Sequence, residues 1–135
     1  MSAPVPVLAL VLLAAALCAG CGAADRAPDA AAVVHRFEEA LNSRDGKAAC
    51  ALLNQQTAAK LAQQDGRPCE QAILAARLPA GRAVKHTSVY VTSASVSLAD
   101  GGALFLDEAP RGWEISAAGC RPTGPDQPFD CDLED

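Results

Sequence analysis

The chain has 135 residues, of which 50 % are apolar types but only 4 % aromatic, and it carries a net charge of −5. That length suits one domain with a modest core, because alanine supplies much of the apolar count and each buried alanine removes little area from water. The acidic balance excludes an electrostatic pull toward nucleic acid or anionic lipid.

From Val5 to Leu17 runs an uncharged apolar stretch of about thirteen residues. A spanning helix needs roughly twenty; the shorter run suits the apolar region of a secretion signal, and small residues follow at Ala19 and Gly20. The segment Leu17-Cys18-Ala19-Gly20-Cys21-Gly22 resembles a bacterial lipobox. Ala19, Gly20 and Cys21 match its last three positions, while Cys18 stands where leucine is usual. The resemblance implies a lipoprotein signal over residues 1–20, a lipid on Cys21, and residence at the outer face of the cell membrane. Each buried methylene contributes about 0.8 kcal/mol, and stable anchoring takes more than one acyl chain. Ala23 to Ala31 is alanine-rich with a proline, so residues 21–31 read as a lipid-anchored tether and 32–135 as a single α+β domain.

Asp29 is placed to cap a helix from Ala30 to about Arg44. Val33, Val34, Phe37, Ala40 and Leu41 fall at i, i+1, i+4, i+7 and i+8, one helical face, with His35, Arg36, Glu38 and Glu39 away from it. Asp45-Gly46 breaks this helix, and Asp45 can cap the next, whose short apolar face is Ala49, Leu52 and Leu53. Asn54 to Gln64 is polar and helical in pattern, with Ala58, Leu61 and Ala62 inward. Pro68 suits a helix start, and the helix beyond it carries Cys69, Ala72, Ile73 and Ala76.

After Gly81 the apolar period drops from about four to two. Val84 to Thr92, Ala94 to Leu98, Ala103 to Asp107 and Trp113 to Ala117 read as four strands, separated by turn residues such as Asp100-Gly101-Gly102 and Pro110-Arg111-Gly112. Such short connections require antiparallel neighbours. Val89/Val91, Ala94/Val96/Leu98, Leu104/Leu106 (or Phe105) and Trp113/Ile115/Ala117 are expected to form the buried face. Beyond Cys120 lies a Pro/Gly-rich stretch without periodicity, and Asp126 to Asp135 holds five acids and no base.

Cys18 leaves with the signal and Cys21 takes the lipid, so Cys50, Cys69, Cys120 and Cys131 remain. An even number in an exported domain reads as two disulfides, with three pairings open; the local pairing, Cys50–Cys69 and Cys120–Cys131, is the expected one. No two cysteines are close in sequence, and His35 and His86 sit near neither pair, so neither a metal nor another cofactor is expected.

Helices followed by a strand meander make an α+β layout. The order of helices and a curved four-stranded antiparallel sheet resembles the nuclear-transport-factor-2-like cone fold of ketosteroid isomerases and polyketide-cyclase-like proteins. More narrowly, the chain is similar to small lipoproteins of actinobacteria. The likeness rests on Phe37 and Leu41 before Asp45, Ala49-Cys50 with Leu53, Cys69, Gly112-Trp113 with Ile115, Gly119-Cys120 with Pro122, and Phe129-Asp130-Cys131. It implies a pocket between sheet and helices, and a sheet face through which such domains often dimerise.

Acid–base chemistry in such a pocket needs a buried base and a donor for developing negative charge. The weak candidates are His86 and Tyr90, four apart on one strand with Ser88 between them. With Val89 and Val91 inward, both face solvent; only the opposite register brings them into a pocket. His35 reads as an exposed helix residue, Asp45 as a cap, Trp113 as a core anchor, and Asp107 and Glu108 as surface acids. Three functions follow as expectations. The first is a non-catalytic, membrane-anchored accessory domain that binds a protein partner or small ligand. The second is a small lyase or isomerase using a cone pocket, and the third a purely structural envelope lipoprotein.

Overall fold

The computed structural model describes residues 21–135; the signal assigned to residues 1–20 lies outside them. Four helices come first: α1 (Cys21–Asn42), α2 (Gly46–Cys50), α3 (Gln55–Asp65) and α4 (Cys69–Ala75). Five strands follow: β1 (Val84–Tyr90), β2 (Ser93–Leu98), β3 (Ala103–Ala109), β4 (Gly112–Cys120) and β5 (Leu133–Glu134). They form one sheet in the order β1-β2-β3-β4-β5, with every neighbouring pair antiparallel. The α+β order is as expected, with five strands rather than four. No helix among the described residues is long and apolar enough to cross a membrane.

Helix α1 starts nine residues earlier than its sequence suggested. Asp29 lies inside it rather than at its cap, Pro28 is accommodated within it, and the stretch read as a tether is helical. The cause is tertiary. Arg26 donates to Glu108 Oε2 at 2.8 Å, its guanidinium lies 5.8 Å from the centre of the Trp113 ring, and Ala30 is fully buried. These contacts hold the early turns against the sheet, offsetting the hydrogen bond that proline removes. The expected stripe of Val33, Val34, Phe37, Ala40 and Leu41 is buried throughout.

Glu38, expected outside the stripe, is also buried, at 3 % exposure. Its carboxylate accepts from the backbone N–H of Arg82 at 2.9 Å, from Arg82 Nη2 at 2.9 Å and from Arg82 Nε at 3.3 Å. This ion pair ties the end of α1 to the segment that enters β1.

Asp45 does cap α2, accepting from the Ala48 N–H at 2.9 Å, and Asn54 caps α3 through Thr57 N–H at 2.7 Å. Between them, Leu53 bridges to Ile115 of β4: Asn54 N–H donates to the Ile115 carbonyl at 2.8 Å and Ile115 N–H to that of Leu52 at 2.9 Å. At Gly46 an added Cβ would run into the Glu70 carbonyl oxygen, so α2 and α4 meet backbone to backbone. The Cys50–Cys69 disulfide staples these same two helices, and Cys120–Cys131 closes the tail; both pair as expected.

The sheet alternation holds through β2 and β3, with Ala94, Val96, Leu98, Leu104 and Leu106 inward against the helices. On β4 it breaks. The pairs Phe105↔Ala117 and Leu106↔Ile115 leave Ser116 as an extra residue, and a second shift lies between Ala103 and Phe105. Each bulge bends the strand and resets the pleat. Ala117 therefore joins Ala103, Phe105, Cys120 and Cys131 in a small cluster, and Ala118 takes its expected place in the main core. Thr57 Oγ1 donates to the Ser116 carbonyl at 2.8 Å, satisfying a backbone group the bulge displaces.

Val91 is a second correction. It sits in the β1–β2 turn, not in a strand, and is 80 % exposed at a φ of 47°. A β-branched residue in the left-handed region is a steric outlier, costing about 1–2 kcal/mol.

Candidate functional site

The outward face of β1 and β2 is built from alternate residues of a paired register. His86 lies opposite Ser97, Ser88 opposite Ser95, and Tyr90 opposite Ser93. His86 Nε2 lies 3.1 Å from Ser88 Oγ, and Ser97 Oγ donates to the His86 carbonyl at 3.3 Å. His86 is exposed and Tyr90 is 62 % exposed. Four residues along a strand span about 13 Å. A base and an oxyanion donor must each come within roughly 3 Å of one reacting group, so His86 and Tyr90 are too far apart to share one. The structure puts them on one face, as their spacing required, but gathers no wall around them. On the same side of the sheet, β3 and β4 carry the tail, where Phe129 packs edge-on to Phe105 with ring centres 5.4 Å apart.

The cleft of about 730 Å³ lies elsewhere, between the first half of α1 and the β3–β4 turn. Arg26, Val33, His35, Glu108, Arg111 and Trp113 line it. Trp113 is a core anchor, as expected, at 8 % exposure. Its ring also forms the floor beneath the Arg26 guanidinium, a cation–π arrangement. Glu108 holds Arg26 in place, and Arg111 reaches over the rim with its side chain 92 % exposed. His35 stands on α1 at the edge and is exposed. The wall sets the guanidinium groups of Arg26, Arg36 and Arg111 and the carboxylates of Asp29 and Glu108 beside an apolar ring, a lining of mixed charge.

Sequence reading missed this cleft because Arg26 fell in the presumed tether. A signal was present: Arg26 and Ala30 continue the stripe of Val33 and Phe37 upstream at spacings of four and three.

Two further polar clusters do structural work. Arg121 pairs with Asp132 and Asp130, each at 2.9 Å, and these carboxylates raise its pKa above the ordinary guanidinium value, Asp132 foremost. That network and the Cys120–Cys131 bond hold the acidic tail to the end of β4. Among the described residues, no three His, Cys, Asp or Glu side chains are grouped to hold a metal ion, and no buried side-chain N or O lacks a hydrogen-bond partner. No family model, curated protein or solved structure matches this chain.

Proposed function

We propose that this is an exported lipoprotein, held at the outer face of the cell membrane by acyl chains on Cys21, with a non-catalytic binding or accessory domain of cone-like form. The observation that carries the anchored reading is the start of α1. The helix runs unbroken from Cys21 into the buried core, so a lipid on that residue would be joined to the body by rigid helix. Arg26, tied to the sheet through Glu108, is five positions on, about 7.5 Å along the axis. The apolar leader ahead of Cys21 and the two disulfides support export, since such bonds persist in oxidising compartments.

Support for a binding role comes from the cleft beside Trp113, whose lining places charged groups of both signs around an aromatic ring. The two bulges between β3 and β4, of a kind that bends a strand, support the cone-like description.

The test is fractionation of cells expressing the full chain. Wild-type protein should sediment with membranes and begin at an acylated Cys21, and Cys21→Ser should lose both the acyl mass and the cut before residue 21. A wild-type chain without acyl mass on Cys21 would contradict lipid anchoring. Turnover of any ligand that disappears in His86→Ala would contradict the non-catalytic reading.

A further inference from the structure

In a meander, alternate turns fall at the same end of the sheet. The β1–β2 turn (Tyr90, Val91, Thr92) and the β3–β4 turn (Pro110, Arg111) therefore share one pole. Their proximity is direct: the Glu108 N–H donates to the Thr92 carbonyl at 2.8 Å. The N-terminal end of α1 stands at this pole too, because Arg26 grips Glu108 and Trp113 there. The opposite pole carries Asp100 at the β2–β3 turn, and Asp130 and Asp132 on Arg121.

Two of the three large hydrophobic residues exposed among those described, Tyr90 and Val91, are neighbours at the tip of the first pole. Folding does not explain Val91. It contacts solvent, and its φ of 47° is one that asparagine or glycine would adopt with less strain.

We infer that this pole is a membrane-docking face, with Tyr90 and Val91 entering the bilayer interface beside the acyl chains on Cys21. The inference rests on the lipoprotein reading and adds a fixed orientation to it. A bilayer is the occupant the geometry favours. The chain enters the fold at this same end, so an anchor on Cys21 would bring the tip to the lipid surface. A convex tip of two side chains is also far smaller than the roughly 800 Å² per partner that a stable protein interface buries. Tyrosine suits the boundary, with an apolar ring and a hydroxyl left in water, and the exposed Arg111 at the same end lies 3.9 Å from the Glu114 carboxylate. Asp25 and Glu108 share this end, with Glu108 engaged by Arg26. Apolar insertion rather than net charge therefore drives the contact, and Asp130 and Asp132, held by Arg121, sit at the far pole.

The experiment uses the acylated full chain in phosphatidylcholine vesicles whose acyl chains carry bromine, which quenches only indoles at that depth. The chain has one tryptophan, Trp113. Tyr90→Trp should be quenched at least twofold more than wild type, and Phe129→Trp, on the tail, should show no such gain. Tyr90→Ser/Val91→Asn places turn-favouring residues at the tip and keeps the fold. It should speed transfer of the acylated chain between vesicles by about tenfold. Unchanged quenching and unchanged transfer, with the protein still on vesicles, would overturn the docking face and leave the anchor intact. A chain that fails to join vesicles and carries no acyl mass on Cys21 would overturn the lipoprotein reading, and this orientation with it.

Discussion

Arg82→Met should destabilise the domain by about 3–5 kcal/mol, the usual cost of removing one partner from a buried ion pair. Methionine retains the length of the stem but leaves the Glu38 carboxylate with only the Arg82 backbone N–H, at 2.9 Å. Both side chains are nearly inaccessible, Arg82 at 11 % and Glu38 at 4 %, so water cannot replace the lost donors without opening the end of α1. Asp100 lies 3.6 Å from Arg82 Nη1 and would lose its counter-ion as well, though at an exposed carboxylate this adds little. Combining Arg82→Met with Glu38→Gln should recover most of the loss, since the amide oxygen still accepts from the backbone N–H and no buried charge remains. Urea unfolding of the four proteins measures the coupling. Additive losses in the double variant would show that the pair does not act as a unit.

Cys50→Ala/Cys69→Ala should lower stability by about 3 kcal/mol, through the freedom returned to the unfolded chain in the loop closed by two cysteines 19 positions apart. For a domain of this size that corresponds to a fall in Tm of roughly 10–15 °C. Helices α2 and α4, of five and seven residues, are too short to form alone and depend on each other. Their backbones touch at Gly46, so the crosslink fixes a contact that has few large side chains to hold it. Removing Cys120–Cys131 should cost less, because Arg121 and the Phe105–Phe129 contact still restrain the tail. Equal losses from the two removals, measured by thermal unfolding, would contradict this ordering.

What the sequence disclosed depended on how far each signal had to reach. The stripe from Val33 to Leu41 and the alternation from Ala94 to Leu106 are local patterns set by helical and strand periods, and both buried as read. The caps at Asp45 and Asn54 act within three residues and could also be found locally. The start of α1 could not, because its early turns are secured by Glu108, 82 residues from Arg26. Glu38 looked like a surface acid for the same reason: Arg82 lies 44 residues on. Val91 was misplaced because its turn contains no glycine, asparagine or proline to mark it. Ala117 was misplaced because a bulge leaves no trace in an apolar alternation, and β5, with only two residues, has no period to detect. His86 and Tyr90 were correctly put on one face, while the cleft at Arg26 and Trp113 went unseen because Arg26, which lies over the Trp113 ring, falls in the presumed tether.

A domain that folds outside the reducing cytoplasm and is fastened to lipid through Cys21 must carry acyl chains on that residue and its other four cysteines as disulfides. The intact mass of protein extracted from membranes of its host, taken with alkylation but without reduction, tests this most directly. A chain beginning at Cys21, heavier by a diacylglyceryl group and carrying no alkylated thiol, is the predicted result. An unacylated Cys21 together with alkylation at Cys50, Cys69, Cys120 and Cys131 would contradict it.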